Sequence, residues 1–155
     1  LRDLSIFLAP NVNSYKRFQE GSFAPTTAAW GLDNRTAGFR LAGHRNSIRI
    51  ECRVPGADVN PYLAFSSLIL AGLYGIENNL KLEEPLKGNI YQNKKAKIVP
   101  GTLREAIEIA KKSKLLPKIF LPDVLEHYIH SAQWEQSEYD KSVNDWEHKR
   151  YFERG

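Results

Sequence analysis

Ser47-Ile48-Arg49-Ile50-Glu51-Cys52-Arg53-Val54 alternates polar and apolar residues with period two, the pattern of a half-buried β-strand. Ile48, Ile50, Cys52 and Val54 share one face, and Ser47, Arg49, Glu51 and Arg53 share the other. The polar face is therefore a row of cation, anion and cation whose neighbours stand about 7 Å apart. On an arbitrary antiparallel strand such a row faces water. Two features of the surrounding sequence argue instead for a site. Arg17, Arg35 and Arg40 lie upstream among glycines and asparagines, and the strand runs directly into Pro55-Gly56-Ala57-Asp58-Val59-Asn60-Pro61, a turn and a helix start. Guanidinium groups gathered from separate strands suit phosphate and carboxylate, because they are permanently charged and bidentate. A glutamate among them suits a hard cation such as Mg²⁺.

Upstream, residues 5–9 are apolar enough for a short strand stopped by Pro10, and Asn11, Asn13 and Ser14 mark a loop or strand edge. Residues 19–25, with Gly21 and Pro25, read as a mobile loop or flap. Residues 26–30 and 36–41 read as two strands joined in a hairpin-like way through Gly31-Leu32-Asp33-Asn34. Downstream, Asn60 and Pro61 open a helix running to about Glu77. Apolar nearly all round, it reads as a core helix with one small-residue side at Ala64, Ser67, Ala71, Gly72 and Gly75. Residues 80–99 are polar and read as an exposed loop. Thr102 and Glu105 form a capping box, and Pro117 breaks the segment after it. A long helix is expected from Pro122, its stripe running through Leu125, Tyr128, Ile129, Ala132, Tyr139, Val143 and Trp146 with a bend between 135 and 140. His127 and His130 sit three apart on it but lack the converging ligands a metal site needs.

A chain of 155 residues is one domain or a piece of a larger one. At 42% hydrophobic and 26% charged it is not globally disordered. The net charge of +4 is dispersed except at Lys94, Lys95 and Lys97, a poor footprint for nucleic acid. The single cysteine, Cys52, excludes an internal disulfide and points to a reducing, cytoplasmic setting. On the apolar side of its strand it reads as a buried, unreactive thiol. No run approaches the ~18 apolar residues of a membrane span. The chain starts at Leu1 and lacks methionine, which leads us to expect the C-terminal part of a longer protein.

Four linked stretches resemble the catalytic domain of glutamine synthetases. They are Asn11-Val12-Asn13-Ser14-Tyr15-Lys16-Arg17, then Asp33-Asn34-Arg35-Thr36-Ala37-Gly38-Phe39-Arg40, then the strand from Ile48 through Pro55-Gly56-Ala57-Asp58, and last Asn60-Pro61-Tyr62-Leu63-Ala64. The resemblance implies an α+β fold: a partial antiparallel sheet or open barrel, backed by the Pro61 helix and packed with later helices. It implies that residues 1–155 are a C-terminal fragment of that domain. The N-terminal β-grasp domain, the first part of the catalytic domain and the remaining metal ligands would lie outside it. Such a piece would leave an apolar surface exposed and would not catalyse alone.

The family ligates glutamate to ammonia, spending ATP on γ-glutamyl phosphate, with Mg²⁺ or Mn²⁺ and in homo-oligomeric rings. Carried over, Arg17 and Arg53 resemble the glutamate-binding pair. Arg35, Arg40 and Arg49 resemble the arginines of the ATP phosphates and transition state, with Arg35 catalytic, and Glu51 resembles a metal ligand. Neither nucleic acid nor a membrane is implied as a partner. Two departures stand out. The family's flap reads Gly-x-Glu-Ala-Pro, whereas here Gly21-Ser22-Phe23-Ala24-Pro25 puts Phe23 where the ammonium-handling glutamate belongs. Phenyl cannot take a proton, though its face attracts cations. This keeps γ-glutamylpolyamine or γ-glutamylamide synthesis open, and also a non-catalytic relative. The connection from Arg40 to Arg49 is also short, so no adenine contact is assigned in 41–46. Tyr91 resembles a tyrosine that some members adenylylate, but its surroundings differ and modification is not expected.

Overall fold

The computed structural model describes residues 1–154. Its core is helical and built around an element the sequence reading expected to be a strand. Residues Ser5–Leu8 form a single helical turn, α1, closed by the Ala9 amide donating to the Ser5 carbonyl at 2.8 Å. A short apolar run does not distinguish strand from buried helix. Leu4, Phe7 and Leu8 are all at most 2% exposed, and the Phe7 ring stacks on Phe120 at 4.7 Å and meets Tyr128 edge-on at 5.7 Å. The expected loop at 11–14 is also helical: α2 spans Val12–Tyr15, with the Asn11 amide donating to Ser14 Oγ.

Three short strands follow: β1 (Trp30–Leu32), β2 (Phe39–Ala42) and β3 (Arg49–Cys52), in the order β1-β2-β3. β2 and β3 are antiparallel, with Arg40 opposite Glu51. β1 and β2 are parallel rather than a hairpin, pairing Trp30 with Phe39 and Gly31 with Arg40. The reason lies in the connection. Asn34 Oδ1 accepts from the Thr36 amide at 3.0 Å and from its hydroxyl at 2.7 Å, an Asx turn that folds the chain back to its starting level. Gly43 (φ +93°) then makes the tight turn before β3; a Cβ there would stand 2.1 Å from the Ser47 carbonyl oxygen. The central strand is shorter than expected, because Arg45–Ser47 is a 3₁₀ turn.

The apolar face of β3 is covered only at its far end. Val54 is fully buried, but Ile48 and Ile50 are 61% and 73% exposed. The same holds for α3 (Pro61–Glu77). Asn60 Oδ1 caps it by accepting from the Tyr62 and Leu63 amides, as the sequence predicts. Only its small-residue side is buried, at Ala64 and Ser67, while Phe65, Ile69 and Ile76 stand exposed. It is a core helix on one side rather than all round.

Residues 80–99 are less free than their polarity suggests. Ile90 is fully buried in a 3₁₀ turn (Ile90–Gln92), the Leu86 amide donates to the Trp30 carbonyl, and Thr27 bridges Ile98. In α4 (Leu103–Lys112), Leu103, Ala106, Ile107 and Ala110 form one buried stripe. Thr102 Oγ1 accepts from the Glu105 amide, and the Glu105 carboxylate reaches Gly101 rather than Thr102. Pro117 opens α5 (Leu116–Ile119) instead of merely breaking the chain. The expected long helix is two: α6 (Pro122–Lys141) ends at Ser142, and Asn144 caps α7 (Asp145–Tyr151) in a capping box with Glu147. No bend is needed, and Val143 and Trp146 leave the stripe, 78% and 64% exposed.

Candidate active site

The register of β2 against β3 builds the site. Residues directly opposite on one face of an antiparallel pair are close enough to bond, and Arg40 faces Glu51. Arg40 Nη1 donates to Glu51 Oε2 at 2.9 Å, and its Nε and Nη2 donate to Asp33 Oδ1 in the β1–β2 connection. Two residues along β3, Arg53 Nη1 donates to Glu51 Oε1. Glu51 is thus held between two guanidiniums. The bond from Arg53, with that from Arg40, keeps its carboxyl below the usual carboxylate range. Asp33 is lowered by its bond from Arg40, and Arg40 is correspondingly raised.

Arg53 is the junction. Besides Glu51 it donates Nε to the Arg35 carbonyl at 3.0 Å and Nη2 to the Phe23 carbonyl at 3.0 Å. Of five guanidinium donors these use three, leaving one N–H on each terminal nitrogen for a ligand. Arg17 arrives from the end of α2, its Nη2 donating to the Val54 carbonyl. Burial lowers its pKa, Asp58 opposes that, and the charge of Arg53 adds to it. Arg17, Phe23, Glu51 and Arg53 line one open cleft of about 350 Å³. Arg35 and Arg40 line a second of about 540 Å³, together with Asn34 and Lys87. The Arg40–Glu51–Arg53 chain of ion pairs runs from one cleft to the other. Arg49 stands apart: it is exposed and joins no ion pair among the described residues.

Three residues organise this arrangement in roles that sequence reasoning did not assign to them. Asp33 fixes Arg40. Asp58 accepts from Ser14 Oγ at 2.5 Å and from Asn11 Nδ2 at 3.4 Å, tying α2 to the exit of β3. Burial works to raise the Asp58 pKa, but these bonds and the charge of Arg17 outweigh it. Tyr91 donates its hydroxyl to the Ala24 carbonyl at 2.8 Å. In the sequence Asp33 and Asp58 stood out only as members of turns, and Tyr91 only by its resemblance to a modified tyrosine. Cys52 is half-buried, and burial raises its thiol pKa, so it is not an activated nucleophile.

A divalent ion wants several oxygen ligands. Among the described residues no three His, Cys, Asp or Glu side chains converge, and both Glu51 oxygens already accept from guanidiniums. These residues do not by themselves make a metal site. No described helix is long and apolar enough to cross a membrane.

Comparison with known proteins follows the same residues. The family model described as glutamine synthetase, catalytic domain, matches residues 1–151. A γ-glutamylethanolamide synthetase, GlnA4 of Streptomyces coelicolor, is 53% identical over 154 residues, covering 99% of this chain and 33% of its own. Type-1 glutamine synthetase 2 of Dictyostelium discoideum is 40% identical over 151 residues, covering 95% and 29%. The solved structure of a GmaS/ADP complex superposes with a TM-score of 0.82 at 26% identity, over 98% of this chain and 36% of that one. The chain spans about a third of the length of the curated relatives it matches. With a match running almost end to end and an α+β arrangement shared with a solved relative, the chain belongs to the glutamine synthetase catalytic-domain family.

Proposed function

We propose that the protein carrying this chain is an ATP-dependent ligase that joins glutamate to an amine other than ammonia through γ-glutamyl phosphate. The observation that carries this reading is one cleft lined by Arg17, Glu51, Arg53 and Phe23. In it, the free N–H groups of Arg53 and the charge of Arg17 receive the glutamate carboxylate. Across the Arg40–Glu51–Arg53 chain, Arg35, Arg40 and the more peripheral Arg49 hold the ATP phosphates. Four guanidiniums and Lys87 against Asp33 and Glu51 leave the two clefts positive, which favours anionic substrates.

The glutamate γ-carboxylate attacks the terminal phosphorus and ADP leaves. The amine nitrogen then attacks the activated carbonyl, releasing phosphate and a proton. In phosphoryl transfer the protein contributes mainly position and stabilisation of spreading negative charge, and arginines fixed by carboxylates and carbonyls are preorganised for it. Arg35 acts as the catalytic arginine. Glu51 would lend one oxygen to a Mg²⁺ or Mn²⁺ ion completed by ligands from outside residues 1–155, exchanging a guanidinium bond for it, and the ion would neutralise phosphate charge.

The acceptor is decided at Phe23. The relatives include both an ethanolamide synthetase and a glutamine synthetase, so family membership alone leaves the amine open. Phenyl cannot accept a proton from ammonium, but it offers an apolar wall to a carbon-bearing amine. The first choice is a small alkylamine of the ethanolamine type. We further propose that the chain is the C-terminal part of its catalytic domain, with the remainder covering the bare faces of β3 and α3. The whole would form a homo-oligomeric ring in the cytoplasm. The test is glutamate-dependent phosphate release by the full-length protein with ammonia, ethanolamine, isopropylamine and putrescine. Preference for an organic amine, with no turnover by residues 1–155 alone, is expected. Clear preference for ammonia contradicts the acceptor reading.

A further inference from the structure

The segment carrying Phe23 holds a conformation that residues with a side chain avoid. Phe23 has φ +57°, where Cβ crowds the following carbonyl, and nothing buries it: the side chain is 61% exposed. A strained, exposed aromatic needs an external hold. Beyond the burial of Ala24 and Pro25 that follow it, two side chains from outside the segment supply it. Arg53 Nη2 donates to the Phe23 carbonyl at 3.0 Å, and Tyr91 Oη donates to the next carbonyl, Ala24, at 2.8 Å. Ser22 Oγ fixes the entry, its one proton shared between the carbonyls of Arg17 and Gln19 while its oxygen accepts from the Ala24 amide at 3.2 Å.

The Tyr91 hold is itself anchored. Its 3₁₀ turn is pinned by the fully buried Ile90, whose amide donates to Thr36 Oγ1 at 3.0 Å, and by Asn89 Oδ1 accepting from the Tyr91 amide. Tyr91 thus connects the β1–β2 connection, and the larger cleft beside it, to the mouth of the smaller one.

We infer that Tyr91 is a positioning residue for the acceptor amine: its hydroxyl keeps the strained Phe23 segment in place and so sets the amine-facing wall of the cleft. The inference rests on the proposed role of Phe23. Without the hydroxyl, Phe23 relaxes toward negative φ, and its ring leaves the mouth. The glutamate side, held by Arg17 and by Arg53 through Glu51, changes less.

The experiment is Tyr91→Phe in the full-length protein, with two readouts. Hydrogen exchange across residues 19–25 is expected to quicken about fivefold, the worth of one net hydrogen bond. With ethanolamine as probe, the amine KM is expected to rise by a similar factor, while kcat and the glutamate KM move less than twofold. In a Phe23→Gly background, where the backbone takes positive φ without strain, adding Tyr91→Phe is expected to quicken exchange much less. Unchanged exchange in Tyr91→Phe overturns the inference, and so does faster exchange with an unchanged amine KM. A uniform fall in kcat with lowered thermal stability and no KM split assigns Tyr91 a merely structural role and also overturns it. If the wild type turns over no amine at all, the proposed function fails instead, and the exchange arm still decides whether Tyr91 holds the segment.

Discussion

At the scale of residues, Glu51 is where structure and chemistry meet. Both of its oxygens accept from guanidiniums, and the bond from Arg53 leads in lowering its pKa from an ordinary value near 4.5. A carboxyl lowered in the folded state adds stability that is present in full above its unfolded value and disappears as pH falls through its folded one. We therefore expect the full-length protein to melt higher than its Glu51→Gln variant at pH 7, and the gap to close below about pH 4. Because the group is a third exposed, solvent screening limits the gap to about 1–2 °C. Thermal unfolding across pH 3–7 measures it. The charges on β3 were legible because alternation fixes which residues share a face. The supporting roles of Asp33, Asp58 and Tyr91 were not, because each reaches the site through a turn or loop whose path depends on Asx bonds and distant anchors.

At the scale of elements, capping chemistry and the period of apolar residues read well. Asn60 and Pro61 open α3, and Thr102 opens α4. Length was the weak point. Four apolar residues at the N-terminal end satisfy either a strand or a turn of helix, and only packing against Phe120 and Tyr128 decides for helix. Asn144 ended a stripe that periodicity alone would have continued. Since α1 is the hub of that packing, Phe7→Ala should destabilise the chain by about 3–5 kcal/mol. Substituting the exposed Phe23 by Ala should change stability by less than ~0.5 kcal/mol. Urea unfolding of the two variants checks both values. Amphipathic pattern shows which face is suited to burial, not what buries it. That is why Ile50 on β3 and Phe65 and Ile69 on α3 stand bare here.

At the scale of the whole molecule, the helical core and the small sheet divide the work. Packing around Phe7 supports the ends of α2 and α3, and these frame the strands whose arginines meet at Glu51. The α+β class followed from the family resemblance, but the parallel pairing of β1 with β2 was not legible, because a six-residue connection normally makes a hairpin. The central claim is that the polar face of β3 holds a carboxylate substrate. The glutamate KM of the full-length protein carrying Arg53→Lys tests it most directly, since lysine keeps the charge and loses the planar fork. The account predicts a rise of about 10- to 100-fold, the worth of one charge-assisted bond, with the KM for ATP moving far less. A glutamate KM equal to that of the wild type would contradict it.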